Sequence, residues 1–345
     1  MRVVIVGGGI AGPVLGSFLA RCGIESVICE ARTASADTEG AFLGVAPNGM
    51  NVLGALGLAT EIERLGHPCE GFEFQNARGE RIGAIEGHAD ADRYGARLVM
   101  LRRGVLHAAL LEHALGRGVP VRWGARLAGI DRSDPARAVA RFEDGSEEAG
   151  DLIVGCDGLR SRTRAIAFPD APPPAYTGLL DFGGYAPASD TLPLEVGRNV
   201  MVFGRRGFFG AFRTRDDGVW WFHNGGDADP VRDLDPAARR ARILACHEGD
   251  PAWVRELVES TPDILGPWPL HEVHAMSRWH DGRVGLIGDA AHATSPSAGQ
   301  GASLAMEDAM MLARCLRDER DPERAFTRLV ELRRARVAEI VEASR

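Results

Sequence analysis

Three carboxylates stand where apolar runs of the chain give way to glycine and small polar residues. Glu30 ends the run Ser26-Val-Ile-Cys-Glu30, Asp157 ends Asp151-Leu-Ile-Val-Gly-Cys-Asp157, and Asp289 follows Arg283-Val-Gly-Leu-Ile-Gly288. Carboxylates placed in this way accept hydrogen bonds from hydroxyl groups, which sugars and polyols offer in number. The glycines of Gly7-x-Gly9-x-x-Gly12 are spaced for a second task. The first allows a tight turn, the second the close approach of a pyrophosphate, and the third the packing of a helix on a strand. Glu30 comes about 20 residues later, where an acid meets a ribose.

The elements that must position these groups follow from the pattern around them. Arg2-Val-Val-Ile-Val6 reads as a strand covered on both faces, a helical run follows through Ala20, and the Glu30 segment is the second strand of a βαβ unit. The strands before Asp157 and Asp289 have the same buried character. In a doubly wound sheet, ligands bind where the carboxyl ends of the strands gather, so a long dinucleotide would be held along its length. After Asp289 the run Pro296-Ser-Ala-Gly299-Gln300-Gly301 offers small side chains and free backbone N–H groups at the start of a helix. The helix dipole there favours an anion, or a ring that becomes anionic, as a reduced flavin does.

The middle of the chain changes texture. A hairpin is expected across Gly71 to Ile85 with its turn at Ala77 to Gly79, then a helix from Arg103 to Leu115 and a second hairpin from Ala125 to Arg141. Pro169 to Pro174 reads as a linker. Gly178 to Ala186, Val200 to Phe212 and Gly218 to His223 suggest an antiparallel sheet, followed by helices near 235–248 and 251–259. Two further helices account for Gly301 to Arg345. The fold class expected is therefore α/β: a Rossmann-like domain of residues 1–70, 97–173 and 272–345, interleaved with a smaller antiparallel-sheet domain of 71–96 and 174–271.

Composition narrows the function. The chain has 345 residues and a net charge of −8, so no overall field draws nucleic acid or an anionic membrane. All 40 basic residues are arginine, which excludes Schiff-base catalysis and a P-loop lysine. The 6 cysteines form no CxxC, so no metal site is expected and a reduced, cytoplasmic setting fits. The apolar N-terminus has no cleavage pattern of a signal peptide and is cut short of a membrane span by glycine.

Gly288-Asp-Ala-Ala-His292, Pro296, Gly299-Gln-Gly301 and Ala305-x-Glu307-Asp308-Ala309 closely resemble the signature of the group A flavoprotein monooxygenases, the p-hydroxybenzoate hydroxylase fold. The resemblance extends through the N-terminal fingerprint, Pro47-Asn48, Arg103-x-x-Leu106 and Asp157-Gly158-x-x-Ser161-x-x-Arg164. It implies that Gly7, Gly9, Ala11 and Gly12 cradle the FAD pyrophosphate, Glu30 holds the adenosine ribose and Arg103 reaches the cofactor. Asp289 would bind the ribityl or pyrophosphate side, while Pro296, Gly299, Gln300 and Gly301 would border the isoalloxazine. Asp157 would act first as structural support and second in contact with the nicotinamide. His292 is expected to pack near the cofactor rather than to catalyse.

The implied chemistry is reduction of FAD by NADH or NADPH, uptake of O2 as a flavin C4a-hydroperoxide, and transfer of one oxygen atom to an aromatic or polycyclic substrate by a monomer or homodimer. The middle sheet would wall the pocket. Alternation along its strands, set against the family's register, favours a face with Asp181, Phe208, Phe212, Trp221 and His223, in which Asp181 or His223 would accept a phenolic proton. Arg205 and Arg206 would instead suit a carboxylate. A reductase on the same scaffold, or a non-catalytic flavin-binding module, remains an alternative. A flavin halogenase, which relies on a lysine, fits poorly.

Overall fold

The computed structural model describes residues 1–35, 41–273 and 276–344; Arg345, the expected end of the last helix, lies outside them. A six-stranded sheet is ordered His280–Asp281, Val284–Leu286, Leu152–Gly155, Arg2–Val6, Glu25–Cys29 and Val121–Arg122. All neighbours run parallel except the edge strand His280–Asp281, which is antiparallel to Val284–Leu286. Val3, Val4, Ile5, Leu152, Ile153 and Val154 have no exposed surface, as expected of parallel strands covered on both sides. Register aligns Val6 with Gly155 and Cys29, and Gly155 with Leu286. Glu30, Asp157 and Asp289 therefore leave the sheet at one edge.

A seven-stranded sheet is ordered Ile264–Glu272, Ala175–Pro187, Gly218–Gly226, Gly207–Arg213, Arg198–Phe203, Gly71–Asn76 and Arg81–Glu86. The segment read as one run over Val200 to Phe212 is a hairpin of two strands, because the chain turns at Gly204 to Arg206. One pairing departs from the antiparallel expectation: Arg198–Phe203 runs parallel to Gly71–Asn76. Helices Pro236–Cys246 and Ala252–Ser260 cover one face of this sheet, burying Phe182, Phe209, Trp221, Val254 and Leu257 in one cluster.

A three-stranded sheet of Phe42–Val45, Val99–Arg102 and His67–Pro68 lies against the other face. Its strands, like the helix Gly87–Tyr94, escape sequence reading because they are short and carry little apolar periodicity. The helices Gly301–Asp318 and Pro322–Ala343 close the chain as expected. No helix among the described residues is long and apolar enough to cross a membrane.

Candidate active site

The first loop shows why glycine stands at each fingerprint position. Gly7 has φ 107°, and a Cβ there would come within 2.5 Å of the Cys156 carbonyl, so any side chain is both strained and obstructed. A side chain on Gly12 would run into the carbonyl of Gly7. Above Gly9 nothing lies within 4 Å, which leaves the backbone open to a ligand. The helix Ala11–Arg21 has neither a side-chain cap nor an acid in its first turn, so its N-terminal dipole is not neutralised. Glu30 accepts hydrogen bonds from Gly8 N at 2.7 Å and Arg32 N at 2.8 Å, and each oxygen keeps a further lone pair. His107 holds the same loop from below, its Nε2 2.7 Å from the Gly8 carbonyl, a contact that no local pattern around His107 signals.

Asp157 is a scaffold residue in this geometry. Its carboxylate accepts from Ser161 Oγ at 2.5 Å and from Thr163 N and Oγ1, both at 2.9 Å. Ser161 in turn caps the helix Arg162–Ala167, accepting from Arg164 N. That fixes the Arg164 guanidinium, which donates to the Ala290 carbonyl at 2.8 Å and so steadies the loop beside Asp289.

Asp289 and Asp308 belong to one motif and have opposite surroundings. Asp308 is buried, accepting from Arg333 Nε at 2.7 Å and from Gly288 N at 3.1 Å, with His292 Nε2 at 2.6 Å. Burial pushes its pKa up, but His292 and Arg333 outweigh burial and hold it below the usual carboxylate value. His292 is thereby a packing and hydrogen-bonding residue, as expected. Asp289 has no hydrogen-bond partner among the described residues. It is exposed to solvent, yet the protein around it withdraws enough water to raise its carboxyl. Arg103, exposed at the start of the helix Arg103–Gly116, is the cation that offsets this most after His292. Two buried oxygens nearby, Thr294 Oγ1 and Gln300 Oε1, also lack partners.

The remaining motif residues join the parts. Glu307 accepts from Asn48 Nδ2 at 3.0 Å and from Arg336 at 2.9 and 3.0 Å, and Ser303 Oγ accepts from Ala46 N at 3.2 Å. Pro47-Asn48 and Glu307-Asp308, far apart in sequence, form one junction.

The seven-stranded sheet corrects the expected face. Residues paired directly across antiparallel strands share a side. Asp181 pairs with Asn224, and Asn224 with Phe208; Tyr185 pairs with Trp220, and Trp220 with Phe212. Trp221 and His223 pair with Gly184 and Phe182 and face the other way. Trp221 is fully buried under the covering helices, donating from Nε1 to Thr261 Oγ1 at 2.8 Å. His223 Nδ1 lies 2.7 Å from His247 Nε2, and His247 Nδ1 lies 2.8 Å from Asp250 Oδ2. Burial drives the His223 pKa down to about 3, with His247 and Arg242 adding to the effect. Arg206 lies beside Ala245 and Glu248, and the Arg205 amide donates to Asp250, so this turn belongs to the helix-covered end.

The face that keeps Asp181 and Phe208 also carries Phe222 and Asn224, which strand alternation alone did not bring forward. It looks towards the three-stranded sheet. Phe42 lies 5.4 Å from the ring of Trp220 and 6.3 Å from those of Tyr185 and Phe222, and Arg102 stacks on Tyr185 at 4.6 Å. Phe212 is buried in this contact with Cys69, Met100 and Trp220. Burial raises the Asp181 carboxyl to about 7, against the opposing hydrogen bond from Asn224 Nδ2.

A family model for an FAD binding domain matches residues 1–174 and 246–344. The aurachin C monooxygenase/isomerase of Stigmatella aurantiaca is 32% identical over 345 residues, covering 100% of this chain and 88% of that protein. The 3-amino-4-hydroxybenzoate 2-monooxygenase PtmB3 of Streptomyces platensis is 34% identical over 354 residues, covering 100% and 87%. The chain belongs to the FAD-dependent aromatic monooxygenases of the p-hydroxybenzoate hydroxylase fold. A crystal structure of Klebsiella pneumoniae HpxO complexed with FAD and uric acid shares this architecture, with a TM-score of 0.91 and 26% identity over 100% of this chain and 87% of that one.

The residues of this monooxygenase fit the cofactor of its family. The open backbone at Gly9, the uncapped helix Ala11–Arg21, the unpartnered Asp289 and the orphaned oxygen of Gln300 are groups that a long, anionic, hydroxyl-bearing molecule would satisfy.

Proposed function

We propose that this monooxygenase hydroxylates an aromatic or polycyclic small molecule, taking electrons from NADH or NADPH and an oxygen atom from O2. The observation that carries the reading is the sheet face of Asp181, Asn224, Phe208 and Phe222, which meets the three-stranded sheet at Phe42 and Arg102, one residue before Arg103. The division into an FAD half of 1–70, 97–173 and 272–345 and a substrate half of 71–96 and 174–271 is part of the same proposal. It is supported by the strands of the seven-stranded sheet, which all fall between Gly71 and Glu272.

In this reading Gly7, Gly9, Ala11 and Gly12 bind the pyrophosphate, Glu30 the adenosine ribose, and Arg103 and Asp289 the middle of the cofactor. Pro296, Gly299, Gln300 and Gly301 border the ring system at the start of the helix Gly301–Asp318, whose N-terminus favours added negative charge. FAD supplies the electron storage and oxygen transfer that no side chain offers. The chain's own part is orientation and proton handling. Asp181, with its carboxyl at about 7, takes a proton from a substrate O–H or N–H near neutral pH, while Asn224 keeps the acid in place. Phe208 and Phe222 exclude water around the ring.

The test is the visible spectrum of the purified protein, followed by NADH or NADPH in air with a panel of phenols and polycyclic aromatics. A bound flavin whose reduction is accelerated by one class of compound, with a product heavier by one oxygen, is the expected result. A protein that remains colourless after incubation with FAD rules the proposal out.

A further inference from the structure

Asp181 and Tyr185 stand on one strand and face one side, and the residue between them on that side is Gly183. Four strand residues span about 13 Å. Two strands away in the same row, the space above Gly210 is taken by the Phe222 ring. A Cβ on Gly183 would meet the Trp221 carbonyl at 3.1 Å and, among side chains of the described residues, the Trp268 ring at 3.7 Å. On this face the acid and the phenol are therefore separated by a position that has no side chain of its own and is bordered by the Trp268 ring.

Its two ends are chemically incomplete. Asp181 accepts from Asn224 at Oδ1, and Oδ2 has no partner among the described residues. The Tyr185 hydroxyl oxygen is buried and unpaired, a condition that a folded protein rarely leaves uncompensated. No cationic side chain lies on this face in the rows of Asp181, Gly183 and Tyr185. Arg102, the cation beside them, is exposed and stacks on the Tyr185 ring.

Building on the substrate reading above, we propose that the sheet face between Asp181 and Tyr185 takes a neutral heteroaromatic ring system rather than an aromatic carboxylate. The ligand donates an N–H or O–H to Asp181 at one end and accepts from the Tyr185 hydroxyl at the other. Tyr185 is then a positioning residue that selects for the acceptor, and Gly183 places no side chain of its own between the two groups. An aromatic carboxylate would bring its charge beside Asp181 with no cation in these rows to balance it.

The test uses the FAD-loaded protein and equilibrium binding of three probes. 4-Hydroxyquinoline, in its N–H and C=O form, has both groups; 1-naphthol has the donor alone; 1-naphthoate has the carboxylate. Tightest binding is expected for 4-hydroxyquinoline. Tyr185→Phe should weaken it about 5- to 10-fold, the value of one hydrogen bond, and leave 1-naphthol within about twofold. Because it removes an unpaired buried hydroxyl, the same substitution should raise the Tm of the ligand-free protein. Asp181→Asn, which can still fold around Asn224, should weaken both donors. Tightest binding of 1-naphthoate, or an unchanged affinity of Tyr185→Phe for 4-hydroxyquinoline, would overturn the proposal while leaving the monooxygenase reading intact. If none of the probes binds and none speeds NAD(P)H oxidation, the assignment of this face to substrate fails, and the proposal with it.

Discussion

Two groups of polar residues, one on each face of the seven-stranded sheet, are in opposite condition. On the helix-covered face, His223, His247 and Asp250 form a closed chain in which each group has its partner, and Trp221 has Thr261. On the other, Asp181 has one partner for two oxygens and the Tyr185 hydroxyl has none among the described residues. Buried polar groups that satisfy one another hold a fold together; one left unsatisfied calls for a further partner, such as a ligand or a bound water. The same contrast recurs between Asp308, bound on both oxygens, and Asp289, which has no hydrogen-bond partner among the described residues.

Substitutions at neighbouring positions should therefore separate stability from binding. Trp221→Ala removes a fully buried indole from the closed face and should cost about 3–5 kcal/mol in urea unfolding. Phe222→Ala, one residue on but half-buried on the open face, should cost less stability and more substrate affinity. Equal losses of stability for the two would break the comparison. His247→Ala leaves His223 and Asp250 without their shared partner and should cost about 2 kcal/mol, with little change in aromatic binding. Asp289→Asn should leave the unfolding of FAD-free protein nearly unchanged and weaken FAD about tenfold or more, corresponding to at least about 1.4 kcal/mol by titration of apoprotein. A drop in apoprotein stability instead would place Asp289 with Asp308 as a structural acid.

How much of this was legible in the sequence divides along the same line. The cofactor side could be read because its signals are local. A strand buried on both faces, a glycine loop and a strand-ending acid occupy a few consecutive residues, and parallel order then gathers Glu30, Asp157 and Asp289 at one edge. The substrate face could not, because alternation shows which residues of a strand share a side but not how two strands align. Paired aromatics at Phe208-Phe209 and Trp220-Trp221 offer either choice. The turn from Thr214 to Gly218, closed by Thr214 N to the Gly218 carbonyl at 2.8 Å with Asp217 at φ 62°, decides it by setting Phe212 opposite Trp220. That places Phe222 and Asn224, rather than Trp221 and His223, beside Asp181. The parallel partnership of Gly71–Asn76 with Arg198–Phe203 is still less accessible, since residues 77–197 lie between the two segments.

A last test probes the contrast through protons. Asp181 titrates at about 7 in the folded protein, against about 3.9 for a free aspartate. Between those values the unfolded chain has released a proton that the folded chain keeps, so this acid's contribution to stability is full below about pH 4 and is lost as pH rises towards 7. His223 titrates at about 3 when folded, against about 6.5 when free. There the unfolded chain binds the extra proton, so its contribution is full above about pH 6.5 and is lost as pH falls towards 3. The two slopes oppose each other between about pH 4 and 6.5 and partly cancel in the wild-type chain. Urea midpoints should uncover them one at a time. Relative to wild type, Asp181→Asn should gain stability steadily as pH rises from 4.5 to 7, and His223→Gln should gain as pH falls over the same range. Should Asp181→Asn follow wild type at every pH, the acid ionises as freely as one in solvent, and the open face loses the feature that most distinguishes it from the closed one.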